Sequence, residues 1–153
     1  MSLEQEFELI RRFPIFSKIS PAKQKLLCFS SERLNYAADK MIFHAGDRGD
    51  ACYVIIEGQI EISVELPDGK GRLVIGTFGA NDIIGEIAIF GDIPRTATAT
   101  AKTRLEVLRI SADQFRSVIR DNPDAAIELI RILATRLANS TAQLSRLSLR
   151  SSN

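Results

Sequence analysis

The sequence predicts a mainly β domain with flanking helices, its strands forming a sandwich or barrel. Three observations predict this. From about residue 32, short apolar runs alternate with turn residues such as Gly46-Asp47, Gly49-Asp50, Gly58 and Pro67-Asp68-Gly69, the pattern of strands joined by tight turns. Helical spacing replaces that pattern at both ends of the chain,. The thirteen residues Gly85 to Ala97, GEIAIFGDIPRTA, then interrupt the strands with groups suited to holding an anion.

In order, residues 3–12 place Leu3, Phe7 and Ile10 on one helical face, and Phe13-Pro14-Ile15-Phe16 breaks that helix,. Ser20-Pro21 restarts one, serine as N-cap and proline at the first helical position,. Leu26, Leu27 and Phe29 are expected on its buried side. Met41-Ile42-Phe43 and Tyr53 to Ile56 read as strands. Ile60, Ile62, Val64 and Leu66 alternate with Glu61, Ser63 and Glu65, which predicts one buried face and one wet one,. Pro67-Asp68-Gly69 turns the chain into Leu73-Val74-Ile75,. Asp82-Ile83-Ile84 leads into the 85–97 stretch, Thr96 to Ala101 leads out, and Leu105 to Ile110 is the last strand. Ser111-Ala112-Asp113-Gln114 has the form of a capping box, with Phe115, Val118 and Ile119 inward,. Asn122-Pro123 opens the longest helix, expected to reach about Leu147, with a polar tail from Ser148 to Asn153 expected to fray,.

At 153 residues this is one domain, long enough for a real core,. The net charge of +1, with no Lys/Arg block, argues against a general nucleic-acid surface,. No apolar run approaches the ~18 residues that cross a bilayer. The acidic, amphipathic N-terminus, MSLEQEFELI, is unlike a signal peptide,. Cys28 and Cys52 form no CxxC pair and sit among apolar residues, so both are expected as free thiols in a reducing cytoplasm,. His44 is the only histidine, which speaks against a histidine-rich metal site or a Ser-His-Asp triad. No cofactor is called for, and no enzyme.

The 85–97 stretch carries the chemistry. Gly85 allows a tight turn, and Ile87-Ala88-Ile89 can start a helical turn whose free N–H groups point at an anion,. Arg95, nine residues after Glu86, can grip two phosphate oxygens,. Glu86 repels a phosphate, and its place beside one makes sense if the ligand also offers a hydroxyl donor, such as a ribose 2′-OH. The bland alternative is a hairpin closed by a surface Glu86–Arg95 ion pair.

These residues resemble the phosphate-binding cassette of the cyclic nucleotide-binding domain family: Gly-Glu, small and apolar residues, a variable turn, then Arg, a small or hydroxyl residue, and Ala. Gly85, Glu86, Ile87, Ala88, Ile89, Arg95, Thr96 and Ala97 fill every position. The resemblance spans roughly residues 10–145 and is closest to the sensor domain of bacterial cyclic-AMP receptor proteins. It implies an antiparallel β-barrel or jelly roll (a double-stranded β-helix) with N-terminal helices in residues 1–30, the barrel in 31–110 and C-terminal helices in 111–149. Two family glycines are replaced, by Asp39 and Asn81, the residue types that best tolerate a left-handed backbone,.

The resemblance further implies a cyclic mononucleotide ligand, cyclic AMP or cyclic GMP, and a homodimer through the last helix. The apolar stripe Ile130, Leu133, Leu137, Leu144, Leu147 is broader than closing the domain's own core requires,. Ser140-Thr141 falls where the resembling receptors contact the purine, and Arg136, one turn earlier, is expected either to pair with Glu86 or to be solvated. Thr96 pulls toward cyclic GMP and the Ser140-Thr141 pair toward cyclic AMP; cyclic AMP is the expected ligand, with cyclic GMP also binding within about one or two orders of magnitude,. With no helix-turn-helix in the sequence, the chain is either a stand-alone receptor acting on an effector protein or the sensor of a longer DNA-binding regulator. A cupin-like barrel without nucleotide is the remaining alternative.

Overall fold

The computed structural model describes the backbone of residues 2–151 and the side chains of residues 2–149. Helix α1 (Leu3–Arg12) is capped by Ser2 and Gln5 in a reciprocal box that the sequence reading did not anticipate. After a 3-10 turn at Phe16–Lys18, α2 (Pro21–Ser30) starts at the expected Ser20 cap. Eight strands follow: β1 (Glu32–Tyr36), β2 (Met41–Phe43), β3 (Ala51–Glu57), β4 (Ile60–Glu65), β5 (Arg72–Phe78), β6 (Ile83–Ile84), β7 (Thr98–Ala101) and β8 (Leu105–Ser111). A short helix α3 (Glu86–Gly91) lies between β6 and β7, and α4 (Ala112–Asp121) and α5 (Pro123–Ser151) close the described chain.

All pairings are antiparallel, in two four-stranded sheets of order β1-β8-β3-β6 and β2-β7-β4-β5. The architecture is therefore a jelly-roll sandwich. The sheets do not close into a barrel, because β1 and β6 end one sheet and β2 and β5 the other.

Strand β3 shows why the layers stack as they do. Its run Ala51-Cys52-Tyr53-Val54-Ile55 is apolar without alternation, as a strand covered on both faces requires,. Ala51, Tyr53 and Ile55 point into the sandwich with Ile60, Ile84, Ala99, Leu105 and Val107. Cys52 and Val54 point outward and pack with Ile10, Phe16, Leu27, Phe115 and Leu129 from the helices. Sheet one thus carries two cores, one against the other sheet and one against the helices. Cys52, fully buried, has its thiol pushed well above the usual range by desolvation. Both cysteines are free, and Cys28 is only half-buried.

The left-handed turns fall where the sequence indicates: Asp39 at φ +72 and Asn81 at φ +74 take the backbone conformation of the glycines they replace. Several expectations need correction. Leu26 and Phe29 are 64% and 72% exposed, because only the Gln24–Leu27 side of α2 meets the core. Leu3 is likewise exposed at the free end of α1. In β4 the alternation fails at its end: Ser63 is buried in the middle of its sheet, and Leu66 projects with the hairpin beyond the sandwich. The tail expected to fray from Ser148 continues α5 to Ser151, while 152–153 lie outside the described residues.

Candidate functional site

Gly85 and Arg95 bracket the site. Gly85 sits at φ +88, ψ 4, the turn between β6 and α3. A Cβ there would lie 2.7 Å from Arg95 Nη1, so glycine is required by both backbone and neighbour,. The backbone of Arg95 is tied to the β2–β3 loop: its N–H donates to Asp47 O and its carbonyl accepts from Gly46 N–H, both at 2.8 Å. Its side chain is 4% exposed. Nη1 donates to Gly85 O (2.8 Å), Nη2 donates to Ala51 O (2.5 Å), and the guanidinium carbon stands 4.2 Å over the Phe43 ring. Nε is buried and has no partner among the described residues. A buried charged group with one unmatched donor is poised for an acceptor.

Glu86 is not paired with Arg95. It is 2% exposed at the first position of α3, and its Oε1 accepts from Arg136 Nη1 at 2.9 Å. Arg136 comes from α5, also donates through Nη2 to Ile83 O (2.5 Å), and stacks 4.6 Å over Phe78. The hairpin alternative with a surface Glu86–Arg95 pair is therefore not what forms. Burial pushes the Glu86 carboxyl above its ordinary value, and the nearby Arg136 cation offsets only part of that rise,.

Between these arginines lies a cavity of about 330 Å3, within the size range of small-ligand pockets. Gly85, Glu86, Ile87, Ala88, Arg95, Thr96, Ala97, Arg136 and Ser140 all line it. Thr141 does not, and its hydroxyl donates back to Leu137 O at 3.0 Å,. The walls the sequence reading missed are Phe43, Gly76, Phe78 and Leu133. Nothing in their local sequence marks them: Phe43 reads as a strand apolar, Phe78 lies beyond the Leu73-Val74-Ile75 run, and the roles of both rings come from cations distant in the chain. Among the described residues, no three His, Cys, Asp or Glu side chains cluster so as to hold a metal ion.

A family model, the cyclic nucleotide-binding domain, matches residues 33–122, which include every cassette residue. The chain belongs to the cyclic nucleotide-binding domain family. It is 32% identical over 140 residues to the CRP-like cAMP-activated global transcriptional regulator of Mycobacterium tuberculosis, matching 92% of this chain and 62% of that protein. The chain therefore spans about three fifths of that relative's length. Among solved structures, the sensor domain of the transcriptional regulator DNR from Pseudomonas aeruginosa superposes with a TM-score of 0.78 at 25% identity, covering 92% of this chain and 93% of that one. The catabolite activator protein of Thermus thermophilus gives 0.74 at 27% identity, covering 88% of this chain and 63% of that one. This cyclic nucleotide-binding domain is thus homologous to the sensor part of CRP-like regulators. No described helix is long and apolar enough to cross a membrane.

Proposed function

We propose that the domain is a cyclic-AMP-preferring sensor: it binds a cyclic mononucleotide in the 330 Å3 cavity and signals through α3 and α5 rather than by catalysis. The observation that carries this reading is Arg95, a buried cation that lines the cavity and whose Nε has no hydrogen-bond partner among the described residues. In it the cyclic phosphate lies against Arg95 and the backbone N–H groups of Ile87 and Ala88. Glu86 accepts the ribose 2′-hydroxyl. Ser140 supports adenine from α5, while Thr96 keeps cyclic GMP a competent weaker ligand. A hydroxyl both donates and accepts, so one such contact discriminates bases by about tenfold at most.

Because Arg136 joins α5 to Glu86, a ligand that takes up Glu86 alters the hold on that helix. Unequal affinity for the two arrangements shifts their populations. The partner on the other side of α5 is a second copy of the chain. Ile130, Leu137 and Leu144 recur every seven residues and are 65%, 69% and 67% exposed, although Ala125 and Leu129 of the same helix are buried,. The similarity to proteins of which this chain spans three fifths favours the reading that such a sensor serves a transcription regulator. An effector protein is the alternative recipient of the signal.

The test is calorimetric titration of wild type and Arg95→Leu with cyclic AMP. Loss of charge-assisted hydrogen bonds worth ~1.5–3 kcal/mol each weakens binding by well over tenfold. Equal affinity of the two proteins refutes the assignment.

A further inference from the structure

We propose that Phe43 is a positioning residue for Arg95, its ring fixing the plane in which the guanidinium stands at the cavity wall. The inference rests on the cyclic-nucleotide reading of that cavity.

A guanidinium is a flat cation whose five N–H groups all lie in one plane, so the direction of its donors is the direction of that plane. Two hydrogen bonds, Nη1 to Gly85 O and Nη2 to Ala51 O, fix one edge of Arg95. They leave it free to tilt about the line joining the two contacts. Phe43 supplies the third point, its ring centre 4.2 Å from the guanidinium carbon, a stacking distance for a cation on an aromatic face,. The ring is itself backed by Tyr53, a buried sandwich residue whose ring centre is 6.0 Å away at an interplanar angle of 32°. With three points held, Nε is the donor left without a partner.

The placement of Phe43 agrees with this role better than with core filling. It ends a three-residue edge strand whose register against β7 shifts between Met41 and Phe43, and it lines the cavity from the rim of the sandwich core, against which it packs only partly buried. A leucine there keeps apolar contact with Tyr53 and loses only the aromatic face.

The experiment measures wild type, Phe43→Leu and Phe43→Tyr by calorimetry against cyclic AMP and its two phosphorothioate diastereomers. In each diastereomer sulfur replaces a different exocyclic oxygen. A fixed donor plane sees one of these oxygens, so wild type distinguishes the diastereomers. Phe43→Leu is expected to weaken cyclic AMP about tenfold and to collapse the diastereomer ratio toward one. Phe43→Tyr, which keeps the face, restores both. A purely structural role lowers the unfolding temperature without moving that ratio. Phe43→Met carries the same comparison if the leucine variant does not fold. An unchanged ratio in the leucine or methionine variant, or a wild type that binds cyclic AMP without distinguishing the diastereomers, overturns the positioning role alone. A wild type that binds no cyclic nucleotide overturns the reading of the cavity, and this inference with it.

Discussion

Replacing Gly85 by alanine is the smallest change that strikes the cassette. At φ +88 a side chain costs ~1–2 kcal/mol in backbone strain,. The added carbon would also lie 2.7 Å from Arg95 Nη1 and 3.3 Å from Ala51 O, inside normal contact distance. Relieving that clash means moving Nη1 off Gly85 O, which unpairs a second buried donor of a charged group, at a cost of ~1.5–3 kcal/mol,. The backbone strain and the lost hydrogen bond together amount to ~2.5–5 kcal/mol. Gly46→Ala is the control: φ there is +94, but nothing lies within 4 Å of the new carbon, so only the backbone cost of ~1–2 kcal/mol applies. Urea unfolding monitored by circular dichroism gives both losses, and calorimetry gives nucleotide affinity. Gly85→Ala is expected to lose more stability than Gly46→Ala and more than tenfold in affinity. Equal losses in the two variants, with affinity intact, would show that Arg95 does not need the space that glycine leaves.

Three further outcomes are expected. Glu86→Ala weakens cyclic AMP but leaves its 2′-deoxy analogue almost unaffected; equal losses for both ligands would mean that Glu86 acts only by holding Arg136. Leu137→Glu with Leu144→Glu gives a folded monomer by light scattering where wild type is a dimer, and a wild type already monomeric at micromolar concentration contradicts the pairing of α5. Burial raises the Glu86 carboxyl above its ordinary value of 4.5. The folded state then holds a proton that the unfolded chain has released, so this group's stabilisation is complete below about 4.5 and is lost as pH rises through the raised value,. Glu86→Gln removes that titration, and the difference between the two pH–stability curves should change across this window; parallel curves contradict the shift.

Residues that announce their conformation made much of the molecule legible. Ser20-Pro21, Asp39, Asn81 and the Pro67-Asp68-Gly69 turn each have a local physical reason, and each stands where that reason puts it. The cassette was legible because its glycine, carboxylate and arginine are close in sequence. Strand β1 was not, since Glu32–Tyr36 is a short, mostly polar edge strand held only by β8, and its alternation is limited to two residues, Leu34 and Tyr36. The burial of α2 was misread because Leu26 and Leu27 are adjacent, and spacing alone does not say which side meets the sheet. The Phe43–Arg95 and Phe78–Arg136 stacks were invisible because each joins residues more than fifty positions apart. Arg136–Glu86 lies at a similar separation and was reached only as one of two options.

The most direct measurement of the central claim is calorimetric titration of the purified wild-type chain with cyclic AMP, cyclic GMP and cyclic di-GMP. Saturable binding of cyclic AMP at one site per chain is predicted, with cyclic GMP weaker by about tenfold at most and no binding of the dinucleotide in the mononucleotide cavity. Absence of heat from either mononucleotide would contradict it, and cyclic GMP binding far more tightly than cyclic AMP would reverse the weight given to Ser140 over Thr96.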